Sequence, residues 1–367
     1  MSAAPRLISA LGAKLVPFQF PGQGKPSLGI VFDSDFGNGI DDVLALAMLN
    51  GFEGKNEARL ISTSTTKSNV RAAAFCDVLA KFYSPPPPPG AGFPGFQRPA
   101  PPIGMTDNGK MAEDTPVMKA VLEKKSAEGK PVYARSIVKL NDTADPIALI
   151  RNAFSAQYDE NCEVVLAGPA TNLAKVLDYP GNADLIQHKV RFLVFAAGTY
   201  PEGRPDFHIK TDLAAARRLF ADWPTPIIAA GQEVGAVLPF PGSSIEKDFA
   251  WAPDHPVVDA YRAFQTMPYD APAPAMAAML YAVHPDGYFK LSDPGTISVL
   301  EDGRTKFTPT AEGRHRYLVV DPAGKAKVIQ TYVEMASAKP TVRAPRFRGG
   351  QKKNADPPKA TDPPKKQ

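Results

Sequence analysis

The stretch "FDSDFGNGIDDVLALAML" (32–49) decides both the fold and the candidate site. Its aspartates are Asp33, Asp35, Asp41 and Asp42, between an apolar run and an apolar helical segment. Like charges at this spacing repel one another. Two explanations remain open: a divalent cation bound by hard oxygen ligands, Ca²⁺ or Mg²⁺, or helix capping with solvated loop charges. Four carboxylates in this spacing favour a binding site over capping alone.

The segments around this stretch alternate between strand and helix patterns. Short apolar runs predict strands at 28–35, 58–66, 162–168, 190–198 and 225–231. Intervening segments predict helices at 39–52, 69–83, 145–158, 169–179, 212–223 and 276–284. This alternation indicates an α/β fold with an open, mostly parallel sheet and helices packed on it. The segments "TISVLEDGRTKF" and "HRYLVVDPAGKAKVIQTYVEMA" predict a small C-terminal element of short antiparallel strands.

Composition divides the chain into three parts. Residues 1–27 are interpreted as an irregular N-terminal extension, 28–335 as one folded domain, and 336–367 as a disordered basic tail rich in Pro and Lys. The tail could attract nucleic acid electrostatically, but a solvated tail without a specific partner is the preferred interpretation. A proline-rich segment at 85–102 predicts a polyproline loop, either a stiff spacer or part of a lid beside the site.

Overall composition excludes several classes of protein. A hydrophobic fraction of 44% and a formal net charge of only +4 are typical of a globular protein. Cys76 and Cys162 could form one disulfide, but they provide no disulfide framework and no CxxC pair. No apolar stretch approaches the roughly 18 residues of a membrane span. The N-terminus makes a poor or truncated signal peptide, so the compartment stays open between cytoplasmic and exported.

Several motifs, in order, resemble the nucleoside hydrolase family. "DSDFGNGIDDVLALAML" is similar to the family's N-terminal signature, in the variant DTDMGNDIDDALALAML. "STSTTKSN" (62–69), "VVLAGPATNLAKVL" (164–177), "AGTYPEGRPDFHIKTDLAAAR" (197–217) and "AAGQEVG" (229–235) resemble its later segments. "LYAVHPDGYFKLSDPGTISVLEDGRTKF" (280–307) resembles the ending of bacterial members. The resemblance covers about residues 28–320 and implies the family's α/β fold, with helices on both faces of the sheet.

The resemblance also implies a reaction and a cofactor. These enzymes hydrolyse the N-glycosidic bond of a ribonucleoside, giving ribose and free base, and they use a Ca²⁺ ion. By match of motif, Asp35 would be the base that activates the water and also a metal ligand. Asp42 would be the second carboxylate on the metal, and the backbone carbonyl of Ala167 would be a main-chain ligand.

The same resemblance implies the residues that contact the sugar. Asp41 would bind ribose hydroxyls, and Asn69, Asp206 and His208 would face the sugar. Asp33 would be structural and would hold the loop. The expected partner is a small nucleoside or ribose, with a homo-oligomer possible by analogy with the family.

Departures from the family pattern concentrate at the site. Asp206 and His208 stand where the family has glutamate and asparagine, and Gly39 replaces an acidic residue. Ala275 replaces an aspartate that binds the metal and the ribose, and Pro274 falls where some members carry the leaving-group acid. Weaker metal binding is therefore expected. Asp270 could substitute through a rearranged loop, or it could be an ordinary loop acid.

Two functions of different classes follow from these observations. The first is Ca²⁺-dependent hydrolysis of a nucleoside or related N-riboside, which the retained Asp35, Asp41, Asp42 and Asn69 favour. The second is a catalytically impaired member of the family that binds a sugar or nucleoside or acts as a scaffold. The replacements at 39, 208, 274 and 275 favour this second function.

Overall fold

A computed structural model describes residues 27–84 and 102–341. Within them the chain forms one sheet in the order β3-β2-β1-β4-β5-β6-β10-β8-β9, with β7 paired to β10. The strands are β1 (Leu28–Ser34), β2 (Ala58–Thr65), β3 (Ile103–Met105), β4 (Cys162–Ala167), β5 (Val190–Phe195), β6 (Ile227–Ala229), β7 (Lys290–Leu291), β8 (Gly295–Val299), β9 (Thr305–Pro309) and β10 (His315–Val319).

Most of this sheet is parallel, as the alternating pattern predicts. Every pair from β3 through β6 is parallel, and so is the pair of β6 with β10. Beyond that point the strands are antiparallel, because β10 pairs with β7 and β8, and β8 pairs with β9. The predicted fold class, including the antiparallel strands near the C-terminus, is confirmed.

Helices cover both faces of the sheet. They are α1 (Asp41–Gly54), α2 (Val70–Tyr83), α3 (Pro116–Leu122), α4 (Pro146–Ser155), α5 (Thr171–Val176), α6 (Asn182–Lys189), α7 (Phe207–Thr211), α8 (Leu213–Asp222), α9 (Gln232–Val237), α10 (Gly242–Lys247), α11 (Pro256–Phe264), α12 (Pro274–Val283) and α13 (Lys325–Ala336). Successive residues of β1 point to opposite faces. Ile30 and Phe32 therefore pack with α1, α2 and α12, whereas Val31 packs with α4, α5 and α8.

One sequence interpretation is wrong. The segment "HRYLVVDPAGKAKVIQTYVEMA" was expected to form only short strands, but its second half is the helix α13. Val328, Tyr332 and Met335 are buried in the core that contains α1. Their spacing of three to four residues is the period of an amphipathic helix, and a turn at 321–324 separates them from β10.

Other predictions fall partly or wholly outside the described residues. These are the N-terminal extension, all of the proline-rich segment except Pro102, and the tail beyond 341, so the three-part division of the chain stays a prediction. Cys76 and Cys162 are both buried and free. In the described part of the chain, no helix has the length and apolar character needed to cross a membrane.

Candidate active site

The acidic cluster lies at the carboxyl edge of the parallel sheet, where ligands bind in open α/β folds. Asp33 is in β1, Asp35 follows it, and Asp41 and Asp42 begin α1. The loop between them turns at Gly37, whose φ of +94° is costly for a residue with a side chain. Directly after the neighbouring strand β4, a Cβ at Gly168 would lie 2.7 Å from the Asp35 nitrogen. Glycine at 168 thus lets the loop after β4 approach the acidic loop closely.

A cavity of about 390 Å³ opens at this edge. This volume is in the range of small-molecule sites, roughly 300–1,000 Å³. Three elements that are distant in sequence line it: the acidic loop after β1, the end of β4, and α7. The lining residues are Asp35, Asn38, Gly39, Asp41, Ala167, Phe207 and His208. A second cavity of about 470 Å³ is lined by Pro205, Phe207, Lys210 and Thr211, so Phe207 contributes to both.

Asp35 is buried, and its carboxylate lies beside the His208 ring and accepts from the Asn38 amide. Asn38 Nδ2 donates to Asp35 Oδ2 at 2.9 Å, and His208 Nε2 lies 3.5 Å from Asp35 Oδ1. Burial alone would raise the pKa of Asp35, but His208, Asn38 and Lys67 outweigh burial and hold it below its usual value. Asp35 is therefore ionised at neutral pH and can accept a proton.

His208 lies between two acceptors. Its Nδ1 is 3.1 Å from the Ala196 carbonyl oxygen, and its Nε2 faces the Asp35 carboxylate. Burial would lower the pKa of His208, but Asp35, Asp206 and Asp41 raise it to about 10. The imidazole is thus a cation at the wall of the cavity, where the family resemblance implies an uncharged amide.

The two aspartates of α1 differ in their surroundings. Asp41 is partly exposed to the cavity, and its Oδ2 accepts from the backbone N–H of Ala275 at 3.0 Å. Asp42 lies behind it, where Oδ2 accepts from Ser34 Oγ at 2.7 Å and Oδ1 from the Val43 N–H at 2.8 Å. Burial raises the pKa of both carboxyl groups, and neighbouring carboxylates raise that of Asp42 further.

Asp33 has the contacts of a structural residue. Its Oδ1 accepts from Ser64 Oγ at 2.6 Å and from Asn172 Nδ2 at 2.9 Å, which ties β1 to β2 and α5. Burial raises the pKa of Asp33 to about 7. Its Oδ2 is buried without a hydrogen-bond partner among the described residues.

Two residues expected to face the sugar make other contacts. Asn69 caps α2 by accepting from the Arg71 N–H, and its Nδ2 donates to the carbonyls of Ala112 and Glu113. Asp206 caps α7 and also accepts from Gln232 Nε2 at 3.1 Å. Neither lines the 390 Å³ cavity. Their roles as sugar contacts stay predictions.

Residues near the start of α12 also differ from those that the family resemblance implies. Pro274 and Ala275 are buried in the first turn of α12, and neither brings a side-chain oxygen or a proton donor. Asp270, which could have substituted for the missing acid, accepts from the Gly242 N–H at 2.8 Å at the start of α10. The only polar group that residue 275 offers to the acidic cluster in the described structure is its backbone N–H.

Sequence reasoning missed Lys67. This lysine follows β2 and is fully buried. Its Nζ donates to Asn38 Oδ1 at 2.6 Å and to Glu113 Oε1 at 2.8 Å, and Asn38 in turn donates to Asp35. A lysine directly after the strand that neighbours β1 was a usable signal, because parallel strands end at the same edge of a sheet. Phe207, which is 57% exposed, was also missed as a wall of the cavity.

The donor set does not fit the Ca²⁺ ion that the resemblance implies. Asp35 Oδ1 faces a cationic imidazole, both Asp42 oxygens accept hydrogen bonds from the protein, and Ala275 supplies no ligand. Hard cations such as Ca²⁺ take six to eight oxygen ligands. Within residues 27–84 and 102–341, no three His, Cys, Asp or Glu side chains are arranged to hold one metal ion.

Comparison with known proteins identifies the family of this fold and this acidic loop. The family model described as "Inosine-uridine preferring nucleoside hydrolase" matches residues 30–361, which includes every residue of the cavity wall. A search of curated proteins found no match.

Solved structures of nucleoside hydrolases are similar to most of this chain. A plant nucleoside hydrolase, the PpNRh1 enzyme, has 18% identity and a TM-score of 0.59, covering 85% of this chain and 100% of its own. A purine-preferring ribonucleoside hydrolase from Gardnerella vaginalis has 15% identity and a TM-score of 0.59, covering 84% and 99%. An inosine-uridine preferring nucleoside hydrolase from Bacillus anthracis has 14% identity and a TM-score of 0.57, covering 84% and 99%. At these identities the likeness establishes the fold alone.

Proposed function

Because the chain belongs to the inosine-uridine preferring nucleoside hydrolase family, we propose that it hydrolyses the N-glycosidic bond of a ribonucleoside or related N-riboside. The products are ribose and the free base. The observation that carries this proposal is the cavity in which the ionised Asp35 and the partly exposed Asp41 share one wall at the carboxyl edge of the sheet.

In this proposal Asp35 is the general base. It accepts a proton from the water that attacks the anomeric carbon, and its pKa below the usual range keeps it ionised for that step. Asp41 accepts hydrogen bonds from ribose hydroxyls through the oxygen that Ala275 leaves free. Breaking a glycosidic bond passes through an oxocarbenium-like transition state, which carboxylates close to the ring stabilise.

Dependence of this activity on Ca²⁺ is a separate question from the reaction itself. The family resemblance implies a Ca²⁺ ion on Asp35, Asp42 and the Ala167 carbonyl, whereas the contacts of Asp35 and Asp42 do not favour it. Calcium dependence therefore stays a prediction that the activity assay tests directly.

The assay measures ribose release from a panel of purine and pyrimidine ribonucleosides, once with Ca²⁺ and once with a chelator. Release of ribose by the wild-type protein, and its loss in Asp35→Asn, is the expected result. Ribose release that Asp35→Asn leaves unchanged would contradict the assignment of the base. A rate that the chelator abolishes and Ca²⁺ restores would show that the resemblance predicts the cofactor correctly.

The second candidate function is binding of a nucleoside or sugar without turnover. Specific observations favour it: Pro274 has no proton for a leaving base, Ala275 has no carboxylate, and His208 places positive charge near a cationic transition state. No ribose release from any nucleoside, together with calorimetric binding of inosine or ribose, would select this function. Release of ribose at a measurable rate would exclude it.

A further inference from the structure

We propose that the side chain of His208, supported by Lys67, supplies the positive charge that the acidic cluster needs, so that the cavity keeps its shape without a divalent cation. This inference rests on the proposed function in one respect: it takes the cavity around Asp35 and Asp41 to be the ribose site. The family resemblance implies that a metal ion balances the negative charge of the carboxylates. The inference assigns that role to His208 and Lys67 instead.

The first observation is the pair of acceptors on the His208 ring. A backbone carbonyl oxygen has no hydrogen to donate, so the Nδ1 that approaches Ala196 O must carry a proton. The Nε2 lies 3.5 Å from the carboxylate of Asp35, which is likewise an acceptor, so a second proton on Nε2 makes this contact favourable, whereas a lone pair there would face negative charge. With a hydrogen on each nitrogen, the ring is an imidazolium. It lies against the carboxylate that a metal ion would otherwise have to neutralise.

The second observation is Lys67. A fully buried lysine is costly unless its charge has partners. Its Nζ donates to Asn38 and to Glu113, and Asn38 donates onward to Asp35 Oδ2. The side chain of Glu113 is 61% exposed, so solvent screens its attraction to the Lys67 ammonium group. The charge of Lys67 therefore remains available to the acidic loop, and it acts on the Asp35 oxygen that His208 does not contact.

The third observation is that both carboxylate oxygens of Asp42 and one oxygen of Asp41 already have donors in the described structure. Ser34 and Val43 donate to the two oxygens of Asp42, and the first turn of α12 donates to Asp41 through Ala275 N–H. An aspartate at 275 would add a fourth carboxylate to Asp35, Asp41 and Asp42. Alanine at this position adds no charge. The backbone N–H of residue 275, which an aspartate would also offer, donates to Asp41 at the N-terminus of a ten-residue helix, where negative charge is favoured.

The experiment has two parts, and neither depends on turnover. The first measures Ca²⁺ in the wild-type protein after dialysis against excess Ca²⁺ and then against metal-free buffer, by elemental analysis, with melting temperatures in Ca²⁺ and in chelator. We expect no bound Ca²⁺ and the same melting temperature in both solutions. One Ca²⁺ per chain, or a rise in melting temperature with Ca²⁺, would overturn the inference.

The second part is a double-mutant cycle on His208 and Asp35, read as melting temperature. We expect His208→Asn to lower the melting temperature by roughly 2–4 °C or more in the wild-type background. The loss should largely disappear in the Asp35→Asn background, because the charge that His208 balances is then absent. His188→Asn is the matched control, since His188 is exposed on α6 and does not line the cavity.

Equal losses in the two backgrounds would overturn the inference, because a merely structural role of the ring does not depend on the charge at position 35. A loss no greater than that of His188→Asn would overturn it as well. If His208→Asn does not fold, the metal analysis of the wild-type protein still decides between an internal cation and Ca²⁺. Failure of this inference is distinguishable from failure of the proposed function, which would appear as absence of both ribose release and nucleoside binding.

Discussion

The site is made of two regions that differ in how they relate to the family pattern. The acidic loop, residues 33–42, retains the four aspartates and positions them at the end of β1 and the start of α1. In the C-terminal contributors, residues 206–208 and 274–275, imidazole and a methyl group stand where the family resemblance implies an amide and a carboxylate. The acids are kept while the groups around them change. The comparison teaches that an acidic loop that matches the family signature does not by itself determine which cation balances its charge.

The largest expected effect tests the acidic loop. If Asp35 is the general base, Asp35→Asn should lower kcat/KM by about 10²–10⁴, equivalent to roughly 3–5 kcal/mol, because an amide cannot take the proton from water. The measurement is ribose release from the best nucleoside of the panel. Asp159→Asn is the matched control, since Asp159 is exposed, pairs with Lys189 and does not line the cavity. If Asp35→Asn keeps the wild-type kcat/KM, another group is the general base, and the acidic loop does not supply it.

The difference between the regions also explains what the sequence could predict. The four acids lie within ten residues, and a strand followed by a helix fixes their relative positions, so local pattern suffices. Lys67 reaches Asn38, the partner of Asp35, and His208 reaches Asp35 itself, only because the end of β2 and the start of α7 lie at the same edge of the sheet as the end of β1. Motif matching selected Asn69 after β2, whereas the residue that approaches the acidic loop is Lys67. Such contacts depend on the register of neighbouring strands and on side-chain rotamers, and the hydrophobic periodicity of the sequence determines neither.

The same limit applies to the fold. Predicted strands and helices in the parallel part lie within a few residues of the observed ones, because buried runs and amphipathic helices alternate there. The end of the chain was misassigned because "KVIQTYV" contains β-branched and aromatic residues that favour strands by composition. Packing on the core around α1 determines that this segment is α13. Tertiary contact there outweighs local propensity.

The next effect tests the C-terminal contributors. Ala275 is 1% exposed, so Ala275→Asp would bury a further carboxylate beside Asp41. We expect a loss of about 3 kcal/mol in the free energy of unfolding in chelator, because no cation compensates the added charge. Added Ca²⁺ should recover part of this loss in Ala275→Asp alone.

Ala275→Asn has nearly the same size without the charge and is the control for packing. Melting curves of both variants in chelator and in Ca²⁺ are the measurement. Equal stability of the two variants in chelator would contradict the interpretation that the site is already balanced by internal cations.

A smaller effect is expected at Asp41, the residue of the acidic loop that accepts a hydrogen bond from Ala275. Asp41→Asn should weaken inosine binding about ten- to hundredfold, or roughly 1.5–3 kcal/mol, because ribose hydroxyls lose a charged acceptor. The amide oxygen of asparagine can still accept from Ala275 N–H, so the start of α12 should be preserved. Calorimetric titration gives the affinity, and the melting temperature checks the helix. Unchanged affinity would remove Asp41 from the sugar site.

The smallest effect decides between two roles for Asn69. As the N-cap of α2, Asn69 accepts from Arg71 N–H, so Asn69→Ala should cost about 1 kcal/mol of unfolding free energy. Asn69→Asp keeps a capping oxygen and should retain most of that stability, although it loses the donors to Ala112 and Glu113. If Asn69 is only a cap and a loop anchor, KM for the nucleoside changes little in Asn69→Asp. A rise in KM in that variant, with stability preserved, would instead favour the sugar contact that the family resemblance implies and would add Asn69 to the residues that bind substrate.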